Sequence, residues 1–293
     1  LYTKELEYVA QKHGFSVHLY ADDTQIYISF EPNGNSDMYL QRLQSCYNDI
    51  KRWMTQNYLK LNDDKSEIIE LHGMHSQYDP RARFQLDVDC IIEPTDTAKN
   101  LGFMFDNTLS LDSHISHISS VCFMNLRDLG RIGSKLTRDL KIQLVHSCIH
   151  SILDNGNATF GALTDKQLLR LQKIQNAAVW FIFGLYGKQR YQSITPYMME
   201  LHFLPVRYRI KFKISLMVFK CISNLAPKYL SDMLSLRSIS PHSVRLDNDF
   251  YILKAPPAPR TSRTEGAFSH IAPKTWNVLP YKLRAMNELQ CFK

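Results

Sequence analysis

The stretch Phe15-Ser16-Val17-His18-Leu19-Tyr20-Ala21-Asp22-Asp23-Thr24-Gln25-Ile26-Tyr27-Ile28-Ser29-Phe30 reads as two strands joined at Tyr20-Ala21-Asp22-Asp23. Val17 and Leu19 share one face of the first half; Ile26, Ile28 and Phe30 share one face of the second. Strict alternation of this kind marks half-buried strands, and a turn between them makes a hairpin. That turn sets two carboxylates side by side at the hairpin tip. Carboxylate oxygens are hard ligands suited to Mg²⁺, the usual partner of nucleotide phosphates. Asp is also a favoured turn residue, because its side chain bonds the backbone two residues on. Taken alone, the pair is therefore explained by a solvated turn, and what surrounds it has to decide.

Downstream, Glu31-Pro32-Asn33-Gly34-Asn35 is turn material, and Ser36 is placed to cap a helix with Asp37 in its first turn. Leu40, Leu43, Tyr47, Ile50 and Trp53 or Met54 recur at helical spacing and predict a core-facing stripe. An extended run follows at Tyr58-Leu59-Lys60-Leu61, then a polar turn at residues 62–67 containing Lys65, then a strand from Ile68 to Leu71. Lys65 is either an ordinary solvated lysine or, beside a phosphate, a proton donor and charge partner. Asp87 to Ile92 reads as a strand. Asn100 to Asp106 reads as another, with Gly102 inside it; a glycine within a strand often marks the close approach of a backbone or ligand.

From about Asp112 the period becomes helical. Ile115, Ile118, Cys122, Leu126 and Leu129 mark one helix, and Leu140, Leu144, Cys148 and Ile152 mark a second with Thr137 as its cap. Thr164-Asp165-Lys166-Gln167 is a capping box that opens a third, with Leu168, Leu171, Ile174, Ala178 and Ile182 inward. On this helix Lys166, Arg170 and Lys173 lie three or four residues apart and share a face, a phosphate track or simply a solvated surface. Residues 184–193 read as a loop. Arg207, Arg209, Lys211 and Lys213 alternate with Tyr208, Ile210, Phe212 and Ile214, and the continuation through Met217, Val218 and Phe219 favours a helix ended by Pro227. Basic residues interleaved with aromatics suit phosphate contact and base stacking. Periodicity is poor over residues 231–264, and Ala255-Pro256-Pro257-Ala258-Pro259 is a stiff connector. Apolar character returns at Phe268, Trp276, Leu279 and Leu283.

The 293 residues have ordinary hydrophobic content, 44%, and no apolar run of membrane-spanning length. Residues 1–112 hold 10 Lys/Arg against 18 Asp/Glu, a net of −8, while residues 113–293 hold 25 against 10, a net of +15. An acidic front and a basic rear suit metals in front and nucleic acid behind, although solvated helix faces explain the charges equally. The six cysteines form no Cys-x-x-Cys pair, which points to free thiols in an intracellular chain. His72/His75, His114/His117 and His146/His150 are closely spaced but lack accompanying cysteines or carboxylates, so no zinc site is expected. The chain opens on Leu1 without a secretory signal and reads as a fragment or processed product.

In this order the motifs resemble the reverse transcriptase of non-LTR, LINE-type retrotransposons, in particular the jockey-like and chicken-repeat-like branch. Tyr20-Ala21-Asp22-Asp23-Thr24-Gln25 resembles the catalytic hairpin, the third palm motif. Leu59-Lys60-Leu61-Asn62-Asp63-Asp64-Lys65-Ser66-Glu67 is similar to the fourth motif. Asn100-Leu101-Gly102-Phe103-Met104-Phe105-Asp106 is similar to the fifth, which holds the primer end. Residues 171–178, 201–210 and 272–280 resemble the thumb and C-terminal region. The implied fold is α+β. A partial polymerase palm over 1–112, an antiparallel sheet with a packed helix, precedes a helical thumb over 113–185. A basic helical region follows over 186–293.

The resemblance implies an RNA-directed DNA polymerase, with RNA template, DNA primer and deoxynucleoside triphosphates as partners, no membrane, and a nuclear or cytoplasmic location. Asp22 and Asp23 would ligate Mg²⁺, and Lys65 would assist pyrophosphate departure. Tyr20, Leu101 and Gly102 would lie by the primer. Lys166, Arg170, Lys173, Arg207, Arg209, Lys211 and Lys213 would contact nucleic acid. The family's first palm motif supplies a further Asp and its second a Gly- and Gln-bearing loop, both upstream of the hairpin; residues 1–19 contain no Asp. Val179-Trp180 also stands where family members often carry an Arg. The two-metal site is therefore expected only with the upstream Asp, and the chain alone is expected to be inactive. A non-catalytic nucleic-acid-binding remnant is the alternative.

Overall fold

Apolar alternation and helical stripes assemble the chain into a mixed α and β protein. A computed structural model describes residues 3–30, 36–73, 84–87, 90–185, 187, 192–237, 251–257, 266–286 and 288–292. The chain divides into two compact units, Leu1–Leu109 and Ser110–Lys293.

In the first unit, α1 (Glu5–Lys12) leads into β1 (Ser16–Tyr20) and β2 (Asp23–Tyr27), which pair antiparallel from Ser16↔Tyr27 to Tyr20↔Asp23. The inward face carries Val17, Leu19 and Ile26 onto buried Leu6 and Ala10 of α1 and buried Cys46, Ile50 and Met54 of α2 (Ser36–Gln56). These three are partly buried and each gains part of the roughly 1.5–3 kcal/mol that full burial of an aliphatic side chain contributes, so the hairpin is seated on two helices and does not stand alone. Leu40, Leu43, Tyr47, Ile50, Trp53 and Met54 all face core, as their spacing predicts. The second strand is shorter than its alternation suggests: pairing stops at Tyr27, and Phe30 is exposed with its ring against Tyr39.

Three further expectations for this unit are corrected. The extended run predicted over Tyr58–Leu61 does not begin at Tyr58, which takes a positive φ of 58°, is 98% exposed and closes α2 with a turn; residues 59–61 belong to no strand. Ile68 to Leu71 form no strand either, although the Thr95 N–H donates to the Ile68 carbonyl at 2.8 Å and the His72 N–H to that of Asn107 at 3.1 Å. Isolated bonds hold this segment beside its neighbours without a ladder. Around Asp87–Ile92 there are two short strands, β3 (Phe84–Asp87) and β4 (Cys90–Ile92), paired antiparallel. β5 (Thr97–Asn100) and β6 (Phe103–Asp106) form a third hairpin. Among the described residues of this unit the strands thus form three separate antiparallel pairs, where one antiparallel sheet was expected.

The second unit is helical. α3 (Asp112–Ile132) buries Ile115, Ile118 and Cys122. α4 (Arg138–Val145) is capped by Thr137, whose hydroxyl accepts from the Leu140 N–H. It continues through a π-helical turn, His146–His150, into α5 (Ser151–Asp154). The buried stripe here is Val145, Ile149 and Leu153, one residue on from the predicted Leu140, Leu144, Cys148 and Ile152. Both sets repeat every four residues, so spacing alone does not choose between adjacent faces.

α6 (Asp165–Phe183) begins with the predicted capping box: the Gln167 N–H donates to Thr164 Oγ1 at 3.3 Å, and the Thr164 N–H donates to Gln167 Oε1 at 2.9 Å. Buried Gln167 also donates to the Ser110 carbonyl and to Asp112, tying the start of α6 to that of α3. α7 (Thr195–Glu200) and α8 (Val206–Ile222) follow, the latter a helix as predicted. α8 ends at Ile222, and Pro227 opens α9 (Lys228–Ser231) instead of closing α8. α10 (Phe268–Trp276) buries Trp276 completely; the indole donates to the Tyr251 carbonyl at 2.7 Å, and Asn277 brackets Leu253 with two bonds of 2.9 Å. α11 (Tyr281–Arg284) and α12 (Leu289–Phe292) complete the unit. Of the Pro-rich connector, Ala258 and Pro259 lie outside the described residues, as does His75.

Candidate active site

Tyr20 and Asp23 face each other as the last pair of the β1–β2 ladder, leaving Ala21 and Asp22 as a two-residue loop. Asp22 therefore occupies the turn, while Asp23 is the first residue of β2 and points to the outer face shared by Tyr20, Gln25 and Tyr27. Both carboxylates are exposed. Ala21 has a φ of 54°, and a positive φ at the first loop residue alone is the pattern of a type II′ turn, which glycine prefers. The tip thus holds a non-glycine residue in a sparsely populated conformation beside the candidate carboxylates, as functional sites often do. Behind them the outer face is aromatic: Tyr20 is 67% exposed, and the Tyr27 and His18 rings stack at 5.1 Å with the hydroxyl 3.1 Å from His18 Nε2.

Lys65 is exposed on a 3₁₀ turn, Asp63–Lys65, anchored to α2 by Asp63. The Tyr47 hydroxyl donates to Asp63 Oδ1, and Lys51 Nζ lies 3.7 Å from Oδ2. Among the described residues no hydrogen bond or ion pair joins Lys65 to Asp22 or Asp23. Leu101 and Gly102 form the tip of the β5–β6 hairpin, with φ values of 47° and 82°. Gly102 is therefore a turn residue and not a glycine within a strand; two successive positive φ values mark a type I′ turn, whose twist matches the flanking strands. Leu101 is half exposed. The Lys99 N–H donates to Glu67 Oε2 at 3.1 Å, so the segment after Lys65 is bound to this hairpin.

Two carboxylates at a solvent-facing tip suit Mg²⁺ by donor type, since that ion is held by one or two carboxylates and keeps several waters. Among the described residues no group of three or more His, Cys, Asp or Glu is placed to hold a metal ion. A metal site built on this hairpin would need further ligands from substrate phosphates or from elsewhere.

The predicted basic residues of the second unit fall into two classes. Lys166, Lys173, Lys211 and Lys213 are exposed, with no ion pair among the described residues. Arg170 donates to Ser116 Oγ at 3.0 Å, Arg207 pairs with Asp165, and Arg209 Nε donates to Asp154 Oδ1 at 2.9 Å while a second guanidinium nitrogen meets Oδ2. Strict alternation on a helix rotates successive basic residues by about 200°, so Arg207 and Arg209 lie on nearly opposite sides of α8. The alternating Arg207, Arg209, Lys211 and Lys213 do not form one face.

Glu70, which sequence reasoning passed over, and His150, which it weighed only as a metal ligand, are among the groups that burial perturbs. Burial raises the Glu70 carboxyl above the ordinary range, against the opposing charge of His72. His150, 2% exposed in the π-helical turn, is driven down to about 4, chiefly by burial and then by Arg209 and His146, with Asp154 opposing. The only sequence signal was the pairing of His146 and His150 one turn apart. No described helix is long and apolar enough to cross a membrane. No family model, curated protein or solved structure matches this chain.

Proposed function

We propose that this chain is part of an RNA-directed DNA polymerase of the non-LTR retrotransposon kind, contributing the catalytic hairpin and the helical region that follows. The observation that carries the reading is the β1–β2 hairpin. Tyr20-Ala21-Asp22-Asp23 sits at its tip, both carboxylates are open to solvent, and α1 and α2 hold its inner face. The same order of motifs then presents Lys65 on a turn and Leu101-Gly102 at a second tip.

In nucleotidyl transfer the primer 3′-hydroxyl oxygen attacks the α-phosphorus, and the bond to pyrophosphate breaks. Asp22 and Asp23 would hold Mg²⁺, which when bound neutralises phosphate charge and favours the ionised hydroxyl. Tyr20 offers an exposed ring beside the reacting end. The Leu101-Gly102 tip offers a backbone that a primer strand can approach closely, because Gly102 has no side chain. Lys65 is a candidate proton donor to the leaving pyrophosphate. With no Asp in residues 1–19, the chain alone is expected to be inactive, since loss of alignment costs orders of magnitude in rate.

The test is primer extension on an RNA template by the chain fused to the fingers and first two palm motifs of a non-LTR reverse transcriptase. Extension that Asp22→Ala and Asp23→Ala each abolish supports the reading. A fusion that folds but does not extend, or that extends regardless of Asp22, refutes it.

A non-catalytic nucleic-acid-binding role is favoured by a separate observation, the four exposed lysines that form no ion pair among the described residues, in a region of net charge +15. It predicts binding that falls steeply with salt and ignores both Mg²⁺ and Asp22→Ala.

A further inference from the structure

In the second unit α3 and α6 run side by side in the same direction. Gln167 bonds Asp112 at their starts, Arg170 meets Ser116 a turn later, and Phe181 lies against Gly133 near their ends. Between them a groove of about 510 Å³ stays open. Phe123 and Leu126 of α3 and Trp180 and Phe181 of α6 give it an apolar lining, and Phe123 is 42% exposed. At Gly130 of α3, which also lines it, an added Cβ would meet nothing within 4 Å.

The groove carries positive charge on both sides. Arg131, Arg138, Arg207 and Arg209 are each paired with a carboxylate. Arg127 on one wall and Lys173 on the other have no ion pair among the described residues, and no acidic residue lines the groove. An occupant must therefore bring apolar surface for the floor and negative charge for both walls.

We propose that this groove docks an acidic amphipathic helix of a partner protein. From Phe123 to Gly130 the lined stretch of α3 spans about 10 Å, two helical turns. That matches an apolar stripe at i, i+3, i+4 and i+7 laid into a groove. Two cations on opposite walls flank such a stripe and meet acidic residues on both its sides. A nucleic-acid strand instead needs a row of cations along its phosphates, and the row Lys166–Arg170–Lys173 follows one helix, not the groove.

The experiment is fluorescence anisotropy of the full chain with a fluorescein-labelled 16-residue peptide. Its leucines stand at i, i+4, i+7 and i+11, glutamate dominates elsewhere, and a scrambled peptide of equal composition is the control. The patterned peptide should bind at least tenfold more tightly than the scrambled one. Gly130→Leu, which fills the groove with a better helix former, should weaken it at least tenfold without lowering the melting temperature. Phe123→Ala, a truncation at a part-exposed position, should weaken it independently. Equal binding of the two peptides, or patterned-peptide binding unchanged by both substitutions, overturns the proposal. So does a sixteen-nucleotide oligo-dT that loses affinity on Gly130→Leu as strongly as the peptide does; oligo-dT binding indifferent to Gly130→Leu supports it.

Discussion

Acidification should destabilise the second unit through His150. The ring is 2% exposed, Phe203 packs edge-on at 4.6 Å between centroids, and His150 Nδ1 is 3.3 Å from that of His146. Burial is the largest influence on it, Arg209 and His146 act in the same direction and the Asp154 carboxylate opposes, and together they lower its pKa from 6.5 to about 4. The folded state therefore binds the proton less readily than the unfolded one. The stabilising contribution is complete above pH 6.5 and is lost as pH falls from 6.5 toward 4. Linkage between those values gives a loss of about 1.4 kcal/mol at pH 5.5 and about 3 kcal/mol at pH 4. Urea denaturation at several pH values tests this in a Trp53→Phe background, where Trp180 and Trp276 report on the second unit. His150→Gln should flatten the pH dependence by about one proton between pH 6 and 4.5. Equal slopes for the two proteins would refute the reasoning, because the burial of His150 would then not govern its titration.

Two further predictions concern backbone and cap. Ala21→Gly should stabilise the hairpin by about 0.5–1 kcal/mol, since glycine adopts the φ of 54° without steric cost, partly offset by its greater freedom when unfolded; slower amide exchange across β1 and β2 would show it, and faster exchange would count against the turn assignment. Thr164→Ala should cost about 1 kcal/mol in urea denaturation of the second unit by removing the capping hydroxyl, and Thr164→Ser should restore most of it.

What the sequence by itself determined was local. Alternation on both sides of Ala21-Asp22 defined the first hairpin, because a period of two admits only one set of inward residues. The Thr164–Gln167 box and the stripes of α2, α3 and α6 were readable for the same reason: a cap and a 3.6-residue period are properties of neighbouring residues. Only the tertiary structure decided the rest. Leu101-Gly102 became a turn because Thr97–Asn100 pairs with Phe103–Asp106, and the polar Thr97 and Lys99 gave no strand signal. The face buried after α4 depended on which of two four-residue repeats met the neighbouring helices across a π-helical turn. Arg209 reads as a nucleic-acid contact from its neighbours, yet its partner Asp154 lies 55 residues earlier in the chain. Charge density along a chain does not reveal which cations fold against carboxylates, as Arg131, Arg138, Arg207 and Arg209 do, and which form no ion pair among the described residues, as with Arg127 and Lys173.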